Sequence, residues 1–408
     1  MNMKKNVPKI RFKGCQGDWE NSNLENFCVY TKMSNRERHL QNLLSLSYGK
    51  IVRKDIKSKK GLLPASFDTY QVVEKDVIVF RGTDLQNDKK SLRVGLSTEE
   101  GIVSPAYVCF KCKERKILPE YLYWLLHYHD VVTKIFYQMG DGLRQTLSFK
   151  DLKELQIIVP TLPEQRQIAA YFRSLDGILS GCKSRLSSLR RLKEGALQAF
   201  FPQQGETQPK IRFKGCKGEW ERKKLGDIAR KVSEKNTQCE YKETFTNSAE
   251  MGIISQLDYF DHDITNKANI ACYYVVQSDD FVYNPRISVT APVGPISRNK
   301  LGRCGIMSPL YTVFHFEKVD NGFMEYYFKT IVWHSFMYQE GNTGARNDRF
   351  SIKDSVFFTM PILLPSTLTE QRQIANFFRT LDRRIELERQ RLEKLKQLKA
   401  ACLEKMFV

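Results

Sequence analysis

Two segments of this chain repeat apolar side chains every seven residues over five heptads. One begins at Thr161 and the other at Thr367, and both keep the same register, which is the pattern of a coiled coil. At 1.5 Å per residue, residues 161–200 would span about 60 Å. We predict two long helices that pair antiparallel, because each follows an equivalent domain; the alternative is two amphipathic helices that each pack on their own domain. The seam includes Ile168, Phe172, Leu175, Leu186 and Leu189 in the first helix and Ile374, Phe378, Leu381, Leu392 and Leu395 in the second.

Both helix starts carry the spacing of a capping box. Thr161 precedes Glu164, and Thr367 precedes Glu370, each by three residues. In this motif the threonine hydroxyl accepts from the N3 amide, and the glutamate carboxylate accepts from the N-cap amide. The sequence therefore predicts helix N-termini at these two positions.

The stretches before the helices, residues 21–150 and 222–355, have the mixed composition of α/β domains with many strands and loops. Alternating and β-branched runs mark the strand candidates. These are Gln71–Phe80, Ile102–Phe110, Asn269–Val276 and Leu310–Phe316.

The chain also contains an internal duplication of one module. Residues 8–20 and 209–221 differ at only two of 13 positions, and residues 161–176 and 367–382 agree at twelve of 16. Fainter matches, GIVSPAYV with GIMSPLYTV and SFKD with SIKD, follow the same order in both halves. A period of about 200 residues indicates a domain duplication, since solenoid repeats are roughly 20–50 residues long. The frame is duplicated, and the stretches between its pieces have diverged.

The net charge of the chain indicates which classes of partner it binds. The net charge is +19 and the isoelectric point is about 9.4, which favours nucleic acid or another acidic partner over a basic surface kept for solubility alone. No run approaches the 18 or so apolar residues of a membrane span, and the N-terminus lacks the apolar core of a signal peptide. We expect a soluble intracellular protein.

The ten cysteines fit free thiols in a reducing compartment. Cys109 and Cys112 have C-x-x-C spacing, but no second such pair completes a tetrahedral zinc site. If their segment is a strand, the two side chains point to opposite faces. We interpret them as structural and predict no metal.

Motifs for catalysis are missing from the sequence. It contains no G-x-x-x-x-G-K-[ST] phosphate loop, no G-x-G-x-x-G, no His/Glu zinc motif and no Asn-Pro-Pro-Tyr-like tetrapeptide of amino-methyltransferases. A nuclease carboxylate cluster is too degenerate a pattern for its absence to be read from a sequence, so a nuclease stays an alternative. The sequence therefore offers no catalytic candidate.

Together, the duplicated PKIRFKG-x-x-G-[DE]-WE openings, the paired SP-x-Y segments and the L-x-EQRQIA helix starts resemble the specificity (S) subunit of type I restriction–modification systems. The resemblance spans nearly the whole chain. It implies a mixed α+β fold with two target-recognition domains separated by two conserved spacer helices in a pseudo-two-fold antiparallel coiled coil. The boundaries are target-recognition domain 1 at 1–160, helix 161–201, linker 202–208, target-recognition domain 2 at 209–366 and helix 367–408.

The resemblance further implies that each domain reads one half of a bipartite asymmetric DNA target. The subunit would dock two methyltransferase subunits, which methylate adenine with S-adenosylmethionine, and restriction subunits, which use ATP and Mg²⁺. The chain itself would be non-catalytic and would bind no cofactor, and it would act in the cytoplasm of a prokaryotic cell. The alternatives are a fused restriction–modification enzyme or nuclease, and a basic coiled-coil adaptor without sequence-specific DNA binding.

Basic and amide side chains in the turn-rich loops are the candidate DNA contacts, because Arg and Lys suit guanine and phosphate and Asn suits adenine. They are Arg81, Lys89, Lys90, Arg93, Arg144, Asn284, Arg286, Arg298, Asn299, Lys300, Arg303, Arg346 and Arg349. Four helix-start residues, Glu164, Gln165, Glu370 and Gln371, are predicted with the heptad seam to form the spacer and partner surface.

Overall fold

The computed structural model describes residues 6–55, 66–85, 92–140, 146–259, 267–344 and 348–408. The chain divides into two compact units. The first unit contains residues 1–184 and 390–408, and the second contains residues 185–389. Each unit therefore combines one variable domain, the first part of the helix that follows it and the last part of the other long helix.

The first unit is built from short antiparallel sheets and helices. A four-stranded sheet has the order β2-β10-β7-β8, a three-stranded sheet has the order β3-β6-β9, and β1-β11 and β4-β5 are two-stranded. The strands are β1 (Glu20–Asn23), β2 (Cys28–Tyr30), β3 (Met33–Ser34), β4 (Leu44–Ser47), β5 (Lys50–Arg53), β6 (Gln71–Val73), β7 (Ile78–Phe80), β8 (Val94–Leu96), β9 (Gly101–Val103), β10 (Val108–Cys112) and β11 (Gln156–Val159). The helices are α1 (Pro119–Tyr128), α2 (Ile135–Met139), α3 (Phe149–Leu152) and the long α4 (Leu162–Phe200).

The second unit repeats this topology. Its four-stranded sheet has the order β13-β20-β17-β18, and β12-β23, β14-β15, β16-β19 and β21-β22 are two-stranded. The strands are β12 (Glu221–Lys224), β13 (Ala229–Lys231), β14 (Phe245–Ser248), β15 (Gly252–Ser255), β16 (Tyr274–Val276), β17 (Phe281–Tyr283), β18 (Ile296–Arg298), β19 (Gly305–Met307), β20 (Thr312–Phe316), β21 (Asn342–Thr343), β22 (Phe350–Ser351) and β23 (Pro361–Leu364). The helices are α5 (Leu225–Ile228), α6 (Gln256–Tyr259), α7 (Asn321–Tyr327), α8 (His334–Glu340), α9 (Asp354–Phe357) and the long α10 (Leu368–Lys405).

A pair of buried asparagines shows that the repeat extends into the diverged stretches. The Asn35 side-chain amide donates to the Leu40 carbonyl oxygen at 3.1 Å, and its Oδ1 accepts from the Leu40 amide at 2.8 Å. Asn236 makes the same two bonds with Tyr241, at 2.7 and 3.1 Å. Since both asparagines are almost fully buried, each holds a loop closed in its unit.

The predicted strand Leu310–Phe316 is confirmed as β20, whereas the other three predicted strands were too long. Gln71–Phe80 forms two strands, β6 and β7, because a turn with Asp76 in the left-handed region (φ 67°) separates them. Ile102–Phe110 is likewise divided between β9 and β10 by the turn at 104–107. Part of Asn269–Val276 is a 3₁₀ helix, and β16 begins only at Tyr274. Turn chemistry outweighed β propensity at these positions.

The heptad seam is confirmed. Its residues are buried or half-buried along both helices, and those of the first turns join each unit's main hydrophobic core. In the first unit Phe407, just after the end of α10, packs beside Phe172, with ring centroids 5.8 Å apart. In the second unit Phe200, at the end of α4, packs on Phe378 at 5.9 Å.

Polar residues interrupt the seam, and each of them finds a partner on the opposite helix. Lys399 Nζ lies 2.6 Å from Asp176 Oδ1 in the first unit, and Lys193 Nζ lies 2.5 Å from Asp382 Oδ1 in the second. Glu388 lies 3.6 Å from Arg185 in the second unit. Positions on α10 fall as positions on α4 rise, so within each unit the helices are antiparallel, as predicted. A polar residue at a seam position specifies register, and these pairs serve that role.

Among the described residues, no helix combines the length and apolar character needed to cross a membrane. Both long helices carry charged residues along their exposed faces.

Two buried histidines make the first unit sensitive to acid. Burial, followed by the nearby charge of Lys399, lowers the pKa of His127 to about 4, and burial lowers the pKa of His129 to about 4. Both imidazoles are therefore neutral in the folded state, whereas the unfolded chain binds protons below about pH 6.5. We expect stability to fall between about pH 6.5 and 4, by up to about 3 kcal/mol per histidine, and to level off below pH 4.

Hydrogen exchange of first-unit peptides at pH 7 and 4.5 measures this loss. His127→Gln/His129→Gln should show a smaller difference between the two pH values than the unchanged chain. The exposed His39→Asn variant is the control and should keep the full difference. Equal pH dependence in the double variant and the unchanged chain would contradict the assignment.

Candidate nucleic-acid interface

Two loops that lie more than 60 residues apart in sequence meet in the second unit. The Ile287 amide donates to the Asp348 carbonyl oxygen at 3.0 Å, and the Phe350 amide donates to the Pro285 carbonyl oxygen at 2.7 Å. These bonds frame an antiparallel bridge between Arg286 and Arg349. Two arginines that were predicted separately as DNA contacts are therefore neighbours, and both are exposed.

A cleft of about 210 Å³ opens beside these arginines. A second cleft, of about 500 Å³, shares Asn284, Arg286 and Tyr311 with the first. The first is lined by Thr244, Phe245, Gln256, Tyr273, Asn284, Pro285, Arg286, Ser308, Leu310, Tyr311 and Arg349. We call these residues the reading cleft.

Asn284 is held in place by its own loop. Its Nδ2 donates to the Asn247 carbonyl oxygen at 2.8 Å, and its Oδ1 accepts from the Arg286 amide at 3.0 Å. Neither Arg286 nor Arg349 forms an ion pair within the described part of the chain. Exposed guanidiniums beside hydroxyl and amide groups suit contacts to phosphates and base edges.

Other basic residues of the second unit are neutralised by nearby acids. Arg298 Nε donates to Asp279 Oδ1 at 2.8 Å, and Lys300 Nζ donates to Glu325 Oε1 at 2.7 Å. Burial acts to raise the pKa of Glu325, but Lys329 and Lys300 together hold it below its ordinary value. These cations stabilise an internal carboxylate, so less of their charge is available to a ligand.

Arg303 is exposed but bidentate with Glu243, at 2.8 and 2.7 Å. The hydrogen bond from Arg303 is the main cause that lowers the pKa of the Glu243 carboxyl. Exposed pairs of this kind exchange with solvent at little cost, so Arg303 stays a candidate for phosphate contact rather than part of the reading cleft.

Two predicted contacts are wrong because their side chains are fully buried. The Arg93 guanidinium donates to the carbonyl oxygens of Thr83 and Asp84 at 2.6 and 3.0 Å, and lies over the Tyr137 ring. The Asn299 side-chain Nδ2 donates to the carbonyl oxygens of Gln277 and Arg303 at 2.8 and 3.0 Å. Both residues hold loops closed, and composition alone does not separate this role from DNA contact.

In the first unit, Arg81 is the predicted DNA contact that is both described by the structure and not fully buried. Its amide donates to the Arg93 carbonyl oxygen at 2.9 Å, just as the Asn284 amide donates to that of Pro295 at 2.9 Å. Arg81 and Asn284 are therefore equivalent positions that carry different side chains. The remaining predictions, Lys89, Lys90, Arg144 and Arg346, lie outside the described residues.

The helix-start glutamates are not surface residues, which corrects their predicted location. Glu164 and Glu370 are 2% exposed. Arg11 Nε lies 2.7 Å from Glu164, and Arg212 Nε lies 2.8 Å from Glu370. Each guanidinium also donates to carbonyl oxygens of its own loop, Gly17 at 2.7 Å and Gly218 at 2.6 Å.

We call each of these Arg–Glu arrangements a clamp, because it fastens the opening segment of a unit to the start of its long helix. In the second clamp Trp220 Nε1 also donates to Glu370, at 3.3 Å. The predicted capping box is half present in α10, where the Glu370 amide donates to Thr367 Oγ1 at 3.3 Å. The glutamate carboxylates bind arginine, because a buried charge requires a charged partner.

The glutamines beside them are also internal. Gln165 Oε1 accepts from the Leu118 amide at 2.9 Å, at the start of α1, and Gln371 Oε1 accepts from the Asp320 amide at 2.8 Å, at the start of α7. Both side-chain amides donate to the proline carbonyl oxygen before the helix, Pro160 or Pro365. The repeated E-Q pair thus joins each domain to its helix.

Tyr311, Thr246 and Gln256 lie around the two clefts and were missed from sequence. Tyr311 belongs to the repeated SP-x-Y segment, and its hydroxyl lies 3.2 Å from Thr246 Oγ1. Because that segment is repeated in both halves, the sequence could have indicated Tyr311 as a functional residue. No sequence feature indicates Thr246 or Gln256.

Comparisons with known proteins agree with this architecture. The family model of the type I restriction modification DNA specificity domain matches the chain twice, at residues 16–187 and 217–397. A curated protein described as a type I restriction enzyme MjaX specificity subunit, from Methanocaldococcus jannaschii, is 28% identical over 306 residues. That alignment covers 70% of this chain and 66% of the relative, just under two thirds of its length.

Solved structures share the fold. The crystal structure of a type I restriction-modification system S subunit from M. genitalium aligns over 98% of this chain and 99% of that one, with 13% identity and a TM-score of 0.56. A chain from a structure of the complex assembly and conformational transition of the type I R-M system aligns over 96% and 98%, with 15% identity and a TM-score of 0.52.

The family matches fall on both copies of the duplicated frame and cover most of the chain. The resemblance drawn from the repeated openings and helix starts is therefore confirmed. This chain belongs to the family of type I restriction–modification DNA specificity proteins.

Proposed function

We propose that this chain is the sequence-specific DNA-recognition subunit of a type I restriction–modification complex. Each unit would read one half of a bipartite asymmetric target. The observation that carries the proposal is the pair of equivalent positions Arg81 and Asn284. The same backbone position carries arginine in one unit and asparagine in the other, as expected of two domains that have diverged to read different half-sites.

The reading cleft supports this proposal for the second unit. Exposed Arg286 and Arg349 stand beside the amides and hydroxyls that line the cleft. An arginine bidentate to guanine contributes about 1–3 kcal/mol of discrimination, and the net charge of +19 supplies a salt-dependent attraction to phosphates. Two modest readers on one chain reach high combined specificity through effective concentration.

The other subunits of the complex would catalyse the reactions. Two methyltransferase subunits would dock on this chain and use S-adenosylmethionine, and restriction subunits would use ATP and Mg²⁺. This chain would bind no cofactor and catalyse no step. The long helices would act as the spacer that sets the unread gap between the two half-sites.

Methylation-aware sequencing of cells with and without this chain tests the proposal. We expect one bipartite motif to be methylated only when the chain is present. Exchanging residues 21–150 for the domain of a relative should change one half of the motif and leave the other half intact. The matched exchange of residues 222–355 should change the opposite half.

A change in both halves after a single exchange would contradict modular reading. A basic coiled-coil adaptor is the competing function, and it predicts equal binding to random and genomic DNA. The absence of any motif that depends on the chain, together with such equal binding, would favour the adaptor.

A further inference from the structure

Cys28 of β2 lies directly opposite Cys112 of β10. The register of these antiparallel strands places Lys111 across from Val29 and Phe110 across from Tyr30. On either side of this stretch, the Thr31 amide donates to the Cys109 carbonyl oxygen at 2.9 Å, and the Lys113 amide donates to the Phe27 carbonyl oxygen at 2.8 Å. Hydrogen-bonded pairs alternate along such a ladder, so Cys28 and Cys112 form a non-hydrogen-bonded pair.

Non-hydrogen-bonded pairs bring side chains closest together. Their Cα atoms are about 4.5 Å apart, within the range of about 4.4–6.8 Å for disulfide-linked residues. Directly opposed residues also point to the same face of the sheet. Both cysteines belong to one hydrophobic cluster, Cys28 within it and Cys112 packed against it. Both thiols are free.

The C-x-x-C partner of Cys112 is on the other side of the sheet. Cys109 is buried in a separate cluster with Val79 and Val103, so the sequence prediction that Cys109 and Cys112 face opposite ways is confirmed. The partner that Cys112 has is 84 residues away in sequence. Chain spacing does not indicate such a pair.

The second unit lacks this pair of thiols. The equivalent register in β13 and β20 places Ala229 opposite Phe316. An apolar pair fills the same position there without any sulfur. The repeated fold therefore does not require cysteines at these two positions. The cysteine pair is specific to the first unit.

We propose that Cys28 and Cys112 form a dithiol site that a small thiol oxidant, such as glutathione disulfide, converts into an intrachain disulfide. The Cys112 thiolate would attack one sulfur of glutathione disulfide, which forms a mixed disulfide and releases one glutathione thiolate. The Cys28 thiolate then attacks the Cys112 sulfur and releases the second glutathione. The two cysteine protons end on the two glutathione molecules, so atoms and electrons balance.

The surroundings set the order and the rate of these steps. Cys112 is half-buried and Cys28 is 3% exposed, so the oxidant reaches Cys112 first. Burial raises the pKa of the Cys28 thiol to about 12 and also raises that of Cys112. Since the thiolate is the nucleophile, oxidation is slow at neutral pH and accelerates as the pH rises. The product would join the edge strand β2 covalently to β10.

Peptide mapping of the full chain tests this proposal. Trypsin cleaves between Cys109 and Cys112, which separates them into residues 94–111 and 112–113, while Cys28 stays in residues 14–32. Because Cys15 shares that last peptide, the experiment uses a Cys15→Ser background. The folded chain is incubated at pH 8.5 with glutathione disulfide or, separately, with the smaller oxidant diamide. It is then alkylated, digested and analysed by mass spectrometry.

We expect residues 14–32 to be linked to residues 112–113, and the link to disappear on reduction. First-unit peptides of the oxidised chain should also exchange their amide hydrogens more slowly than those of the reduced chain. Cys28→Ser should abolish the link and leave Cys112 with a glutathione adduct, whereas Cys109→Ser, the matched control on the other face, should retain the link. Alkylated Cys28 and Cys112 after both oxidants, or a link from 14–32 to 94–111, would overturn the proposal.

Discussion

An Arg212→Ala chain should lose about 3–5 kcal/mol of stability in its second unit, because the substitution leaves the buried Glu370 carboxylate without its cation. Glu370 is 3% exposed at its side chain and Arg212 is 19% exposed, so solvent screens the pair weakly. Only the Trp220 indole N–H would remain as a donor among the contacts described above. The loss corresponds to second-unit amide exchange that is faster by a factor on the order of 10²–10⁴.

Hydrogen exchange resolved by peptide is the suitable measurement, because a chain of two units does not unfold in one step. Peptides of the second unit should exchange faster, and those from residues 6–160 should change little. Arg11→Ala should produce the opposite distribution, since its partner Glu164 belongs to the first unit. The two clamps thus act as controls for each other.

Two further variants test the physical cause. Arg212→Ala/Glu370→Gln removes the buried charge together with its partner and should be less destabilised than Arg212→Ala. Arg230→Ala breaks an exposed pair with Glu317 and should cost no more than about 1 kcal/mol. If Arg212→Ala were no less stable than Arg230→Ala, the clamp would contribute nothing.

Loss of Arg286 and Arg349 should abolish discrimination of one half-site while leaving discrimination of the other intact. An arginine that contacts a base edge contributes about 1–3 kcal/mol to discrimination against the wrong base, which is roughly a five- to 150-fold preference. The double variant Arg286→Ala/Arg349→Ala should lose more than either single variant. Because both side chains are exposed, the fold should tolerate the change.

Binding is measured with the assembled complex on three DNAs: the full target, and the target with either half scrambled. Arg230→Ala is the matched control, since it removes an exposed arginine of the same unit that is paired with Glu317 and is not a candidate DNA contact. A uniform loss on all DNAs, with a shallower dependence on salt, would assign the two arginines to phosphates. Unchanged binding to every DNA would remove them from the interface.

Periodic features of the fold are encoded locally in the sequence. Ile168, Phe172, Ile374 and Phe378 are buried as the heptads predict, because helical geometry alone decides which residues share a face. The opposite faces of Cys109 and Cys112 follow in the same way from the two-residue period of a strand. Duplication of the openings and helix starts likewise predicted two units of one topology.

Contacts between distant segments were decided by the tertiary structure. Glu164 and Glu370 have the spacing of a capping residue, yet each binds an arginine more than 150 positions away. Arg93 and Asn299 have the composition of DNA contacts, yet loop closure buries both. The sequence gives the charge and hydrogen-bonding groups of each side chain. Strand order and loop packing determine which residue becomes its partner.

The sequence by itself thus determined the duplicated frame, the antiparallel helix pair and the family. Only the tertiary structure placed Arg286 beside Arg349 and Cys28 opposite Cys112. The physical reason is the range of the interactions. Backbone geometry repeats every two or 3.6 residues and leaves its period in the sequence, whereas pairing across a sheet or between loops joins residues at separations that no period records.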